Sequence, residues 1–188
     1  SDLILKPNKH IPTGILADKA KVKYVSFYAP SKTFNLAGLQ TAAVVIPDSV
    51  MHAQYKAVLR KNQTYSATRF GIEAFKTAYN ECEDYLEEFL QVLQNNYQFI
   101  LDYISKKLPL IKLSPLEGTY LIWMDLRNIG IPIDHLNEFL VKNAGIMLDY
   151  GSIFSPEYAG FARMNIACPQ VTLESALNQL YNALQTLV

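Results

Sequence analysis

The apolar and polar positions of this chain fall into blocks of different period. Residues 22–29 and 41–46 are almost continuously apolar and rich in β-branched side chains. Such runs predict two central strands of a sheet covered on both faces, where in–out alternation disappears. Pro47 stops the second run, and Asp48 is placed to cap a helix whose apolar face would carry Val50, Ala53, Ala57 and Val58. Residues 71–79 predict a second helix. The longest element spans 82–107, where Cys82, Leu86, Phe89, Leu93, Tyr97, Ile100 and Ile104 recur at steps of three and four, one face of an α-helix. Glu81, Glu83 and Asp84 enrich its start and Lys106 and Lys107 its end, as the helix dipole favours, and Pro109 prevents continuation.

Beyond residue 107 the pattern becomes a compact mixture of short strands and helices. Residues 111–113 and 119–125 predict strands separated by the turn signal Ser114-Pro115-Leu116-Glu117-Gly118. Trp123 is expected in the core there. Asp134 is expected to cap a helix carrying Leu136, Phe139 and Leu140, with Gly145 where a left-handed residue is wanted after its end. Residues 146–148 and 161–167 predict further strands. Thr172 is expected to cap a last helix with Leu173, Leu177, Leu180, Leu184 and Leu187 as its buried stripe. The stretch 149–156 is expected to be a mobile loop near substrate. The chain therefore reads as α/β followed by α+β.

Composition narrows the classes without naming a function. Half of the 188 residues are hydrophobic, enough for a sizeable core in one large domain or one and a half smaller ones. Seventeen basic residues balance seventeen acidic ones, so no charge field points to nucleic acid or an anionic membrane. Cys82 and Cys168 have no Cys-x-x-Cys spacing, and His10, His52 and His135 are scattered, so no metal site is expected. No run approaches the roughly 18–20 apolar residues of a membrane span, and the start lacks a signal-peptide pattern. A cytoplasmic location is expected by elimination.

Two cations stand out. Lys32 lies between the two apolar runs, at the mouth of a predicted strand, where stiff backbone and partial desolvation would suit an amine that must be neutral part of the time to attack or hold a carbonyl. Arg163 lies on an apolar strand, where an unpartnered guanidinium costs several kcal/mol. It either pairs with an internal carboxylate or awaits one on a ligand, whose two oxygens its planar fork of donors would suit. Thr33 and Asn35, beside the lysine, are expected to hydrogen-bond locally.

The string Ser31-Lys32-Thr33-Phe34-Asn35-Leu36-Ala37-Gly38-Leu39 closely resembles the cofactor-lysine motif of the class I/II aminotransferases, the fold-type I enzymes that use pyridoxal 5'-phosphate. More narrowly it resembles the MalY/PatB branch of cystathionine beta-lyase-like C–S lyases. Three further blocks, in order, are similar to that family: Ser1-Asp2-Leu3 with Lys9-His10-Ile11-Pro12, the run from Glu117 to Asp125 around Trp123, and the run from Gly160 to Pro169 around Arg163. The resemblance implies a PLP-dependent transferase-like fold. Residues 1–85 would be the C-terminal part of the cofactor-binding large domain, with a parallel-rich sheet, and 86–188 the small α+β domain, joined by the helix 82–107.

It also implies that Lys32 holds the cofactor covalently and then acts as general base at Cα, that Ser31 helps to bind the phosphate, and that Arg163 grips the substrate carboxylate. Family members are about twice this length, and the chain opens on Ser1 where their second half begins. It is thus expected to be half of a homodimeric enzyme and catalytically silent alone. Many aminotransferases carry a serine three residues before the lysine and an arginine eight after it, both on the phosphate. Here those positions are Ala29 and Gln40, so the manner of phosphate binding stays open. So does the reaction. The string favours a C–S β-lyase on cystathionine- or cysteine-like amino acids. An aminotransferase using a 2-oxo acid and a non-enzymatic regulatory partner are the alternatives.

Overall fold

A computed structural model describes residues 1–64 and 67–186. The chain divides into two compact units, Ser1–Asp2 with Lys9–Phe89, and Leu3–Asn8 with Leu90–Val188.

The first unit opens with helix α1 (Thr13–Ala20), which the apolar pattern does not announce: it has no clear stripe, and Ile15 and Leu16 are exposed. It closes at Lys21, whose φ of 54° is left-handed, with the Val22 N–H donating to Ala17 O. Strands β1 (Ser26–Tyr28) and β2 (Ala43–Val45) are short and pair antiparallel, Phe27 opposite Val44. This departs from the long, doubly covered strands of a parallel-rich sheet. Phe27 and Val45 are exposed by 69% and 45%; the apolar runs carry the hydrophobicity of covered strands, but among the described residues of this unit no second layer lies over these side chains.

Helix α2 (Ser49–Lys61) starts as expected, with Asp48 accepting from the Met51 N–H at 2.8 Å. The Lys23 ammonium lies 2.8 Å from the other Asp48 oxygen and, with that N–H, holds the carboxyl below the usual carboxylate range. Its inward face is Met51, Tyr55 and Leu59, not Val50, Ala53, Ala57 and Val58, all of which are exposed. The true stripe runs at steps of four through a methionine and a tyrosine. Helix α3 (Arg69–Glu81) is capped by Thr68, whose hydroxyl accepts from the Gly71 N–H. Gly71 itself is crowded by Thr41, leaving no room for a Cβ.

Helix α4 (Glu83–Lys107) has its acidic and basic ends where the dipole wants them, and the boundary between the units falls within it. In the second unit its stripe is buried at Leu93, Ile100 and Ile104, and so is one polar residue, Asn96. Strands β3 (Lys112–Leu113) and β4 (Leu121–Asp125) come next. Helix α5 (Leu136–Lys142) then buries Leu136, Phe139 and Leu140. It begins from a 3₁₀ turn over Ile133–His135 that contains Asp134, and no side chain caps it. The left-handed residue beyond its end is Gly145, with φ 65°.

Strand β5 is only Asp149–Tyr150; residues 146–148 are irregular instead of extended, their path set by the Ile146 N–H returning to Leu140 O. Two 3₁₀ turns, Gly151–Ile153 and Pro156–Tyr158, follow β5, so the stretch 149–156 is built from regular pieces. Gly151 is buried there, and a Cβ on it would collide with Tyr158 O and the Phe161 side chain. Strand β6 (Phe161–Asn165) completes an antiparallel sheet of order β3-β4-β6-β5. Leu3 and Leu5 are buried beside it, and the Thr119 N–H donates to Leu3 O.

Helix α6 (Gln170–Gln185) starts at Pro169, with Thr172 in its first turn and not at the cap. Leu173, Leu177, Leu180 and Ala183 are buried and Leu184 half-buried; Leu187 lies outside the described residues. Along β4 and β6, Ile122, Met124, Ala162 and Met164 point to the core, each worth about 1.5–3 kcal/mol for the large side chains. Leu121, Trp123, Asp125, Phe161, Arg163 and Asn165 alternate onto the opposite face. Trp123 is therefore not core: it stacks on Phe161 and meets Phe154 and Tyr158 edge-on. Among the described residues, no helix is long and apolar enough to cross a membrane.

Candidate functional site

Between β1 and β2 the chain makes a turn, tied by the Phe34 N–H to Pro30 O at 2.9 Å and the Leu36 N–H to Ser31 O at 3.1 Å. Lys32 and Ser31 share this turn. Pro30 and Thr33 are buried, Ser31 is half-buried and Lys32 is exposed. The desolvation expected of Lys32 is thus not present within the unit; the turn projects the amine outward.

What surrounds the lysine is firmly held. The buried Thr33 hydroxyl donates to Asp2 Oδ2 at 2.8 Å, and the Tyr79 hydroxyl of α3 donates to the same oxygen at 3.1 Å. Burial, with the Asp2 charge adding to it, pushes the Tyr79 phenol up to about 12. Phe34 packs edge-on against Tyr79 and tilts toward Tyr85. The anchor of Thr33 is therefore long-range instead of local. Asn35 contributes through its backbone, at φ 54°, a conformation asparagine tolerates. Among the described residues, the N–H groups of Ser31, Lys32 and Thr33 have no acceptor, leaving consecutive donors beside the amine. Asp2 and Tyr79 are structural supports of this turn that sequence reasoning does not identify. Asp2 appeared only as part of a similar string, and nothing in a helix stripe says which tyrosine will bond.

Arg163 belongs to the second unit, on the outward face of β6. Register places it opposite Trp123 of β4 and Asp149 of β5. Its Nε and Nη2 both donate to one oxygen, Asp149 Oδ2, at 3.0 and 2.6 Å, and the guanidinium lies over the Phe154 ring at 4.8 Å. Nη1 makes no hydrogen bond among the described residues. Arg127 provides the contrast: its Nε and Nη2 take both oxygens of Asp125 at 2.9 and 2.8 Å, with Phe161 beneath. The two arginines use the same donor edge, and the acids differ: Asp125 gives both oxygens to Arg127, whereas Asp149 gives Arg163 only Oδ2. Arg163 and Asp149 border a groove of about 670 Å³ whose wall includes Met147, Met164 and Leu173. The sequence reading left open whether Arg163 finds an internal carboxylate. It does, and Asp149 was not singled out because cross-strand register is not visible in one strand's alternation.

Comparisons with known proteins place the chain in a family. The family model "Aminotransferase class I and II" matches residues 4–180. Cystathionine beta-lyase PatB of Bacillus subtilis (strain 168) is 33% identical over 184 residues, covering 98% of this chain and 48% of PatB. Protein MalY of Escherichia coli (strain K12) is 26% identical, covering 98% of this chain and 47% of MalY. Cystalysin from Treponema denticola, solved with a pyridoxal 5'-phosphate cofactor, superposes with a TM-score of 0.92 at 30% identity, over all of this chain and 48% of cystalysin. The chain thus spans about half the length of the relatives it matches. With the match to the family running through both the lysine turn and the arginine strand, this chain belongs to the class I and II aminotransferases.

Proposed function

We propose that these residues form the C-terminal half of a pyridoxal 5'-phosphate enzyme that acts on amino acids, with β-elimination at a C–S bond as its reaction. The observation that carries this reading is the turn at Lys32: an exposed amine on a loop held from both sides by Thr33 and Phe34. The residues present fit the cofactor. A primary amine can link to its aldehyde, and the Ser31 hydroxyl and the free N–H groups of residues 31–33 are donors suited to a phosphate. Ala29 contributes no side-chain donor, so the phosphate leans on those groups and on residues beyond this chain.

When bound, the cofactor supplies a conjugated ring that accepts charge developing at the substrate Cα. The chain's own part is to position and to move a proton. Lys32 would hold the cofactor through its side-chain amine and, when that amine is free, would take the Cα proton as general base. Arg163 holds the substrate carboxylate, fixing which Cα bond faces the base. With a thiolate leaving group at Cβ, elimination followed by hydrolysis of the remaining enamine by water gives a thiol, pyruvate and ammonia. The likeness to PatB, named a cystathionine beta-lyase, favours this outcome over transamination. The same likeness to the family favours a homodimer.

Borohydride reduction of the full-length holoprotein followed by peptide mapping tests the assignment. The pyridoxyl group is expected on Lys32, and an adduct on another lysine overturns it. Turnover of L-cystathionine with no added 2-oxo acid is expected; strict dependence on a 2-oxo acid makes the protein an aminotransferase instead.

A further inference from the structure

We infer that Asp149 is a positioning residue for Arg163, holding its Nε–Nη2 edge so that the Nη1 end stays open to the substrate carboxylate. The inference rests on the proposed role of Arg163 as carboxylate binder and adds to it the residue that aims the guanidinium. An arginine side chain has four rotatable bonds, and a ligand that must order it alone loses affinity to that entropy. Here the ordering is already done. Asp149 Oδ2 takes Nε and Nη2 at 3.0 and 2.6 Å, and Phe154 lies beneath the guanidinium at 4.8 Å. The β5–β6 register puts Asp149 directly across from Arg163. Backbone pairing therefore sets this contact, and it does not depend on a chance meeting of two long side chains.

A contact confined to the Nε–Nη2 edge leaves the rest of the fork available. Nη1 has no acceptor among the described residues, and Nη2 retains a second proton. An incoming carboxylate can thus bind at the Nη1–Nη2 end while Asp149 stays in place.

The test is a double-mutant cycle in the full-length holoprotein with L-cystathionine, using Asp149→Ala, Arg163→Ala and the pair. Asp149→Ala is expected to raise KM about five- to twentyfold with kcat little changed, within the range of couplings between contacting groups. In the Arg163→Ala background the same change is expected to add nothing. Asp149→Asn, which keeps an acceptor oxygen, is expected to recover part of the loss; it also serves if the alanine variant folds poorly. As a readout independent of turnover, the Kd of propionate, a carboxylate without the reacting amine, should weaken in parallel. If Arg163→Ala leaves KM unchanged, the carboxylate-binding role itself is wrong. If Arg163→Ala raises KM but Asp149→Ala leaves it unchanged or lowers it, or if the two effects simply add, Asp149 does not position the arginine and the inference is overturned.

Discussion

Thr33 donates its hydroxyl proton to Asp2 at 2.8 Å from a position 31 residues further along the chain, and it does so while 5% exposed and adjacent to Lys32. The contact closes a long stretch of chain onto the residue next to the Lys32 amine. A hydrogen bond to a charged acceptor is worth roughly 1.5–3 kcal/mol where it is shielded from water. Tyr79 donates to the same oxygen, so the loop is tied to α3 as well.

Thr33→Val removes the donor and leaves the shape. It is expected to destabilise the full-length protein by about 1–2 kcal/mol, whereas Thr33→Ser keeps most of the stability. Urea unfolding of the two variants checks this, and equal losses would mean the methyl group, not the hydroxyl, matters.

The Tyr79 phenol, pushed up to about 12, makes stability depend on alkaline pH. Its folded value lies above the ordinary tyrosine value of 10. Between the two the unfolded chain has released a proton that the native protein keeps. Stability is therefore complete below pH 10 and falls as pH rises toward 12. Tyr79→Phe should flatten this slope in pH-dependent denaturation curves.

In the second unit, Asn96 is 2% exposed and donates to Ile166 O at 2.8 Å and Cys168 O at 2.9 Å. Replacing it with leucine strands two carbonyl groups at the end of β6. At about 1–3 kcal/mol for each unsatisfied buried group, with partial relief by water, a loss of roughly 2–4 kcal/mol is expected. The midpoint of urea unfolding measures it.

The 188 residues alone are expected to bind pyridoxal 5'-phosphate weakly and to lack lyase turnover. Lys32 is exposed, and a covalent link to an amine open to water is readily hydrolysed. The exposure of Phe27 and Phe70, 69% and 82%, also predicts a tendency to associate. Absorbance titration with the cofactor, alongside sedimentation, checks both. Stoichiometric micromolar binding with turnover would mean that these residues carry a complete site.

The sequence by itself determined the elements whose signal is local. The stripe of α4, the Asp48 cap, the buried leucines of α6 and the left-handed Gly145 all follow from spacing and residue type, because a helix brings near neighbours together. The string around Lys32 and the strand of Arg163 were legible for the same reason, each being a short contiguous block. Tertiary structure alone decided what those residues touch. Trp123 lies outside the core because sheet alternation placed Ile122 and Met124 inward. Helix α2 turned Met51 and Tyr55 inward, although valines and alanines looked the better face. Asp149 reached Arg163 through the register of two strands, and Asp2 reached Thr33 across a loop. Such pairings are set by how distant segments are brought together, and an amino-acid sequence read along its length carries no local mark of them.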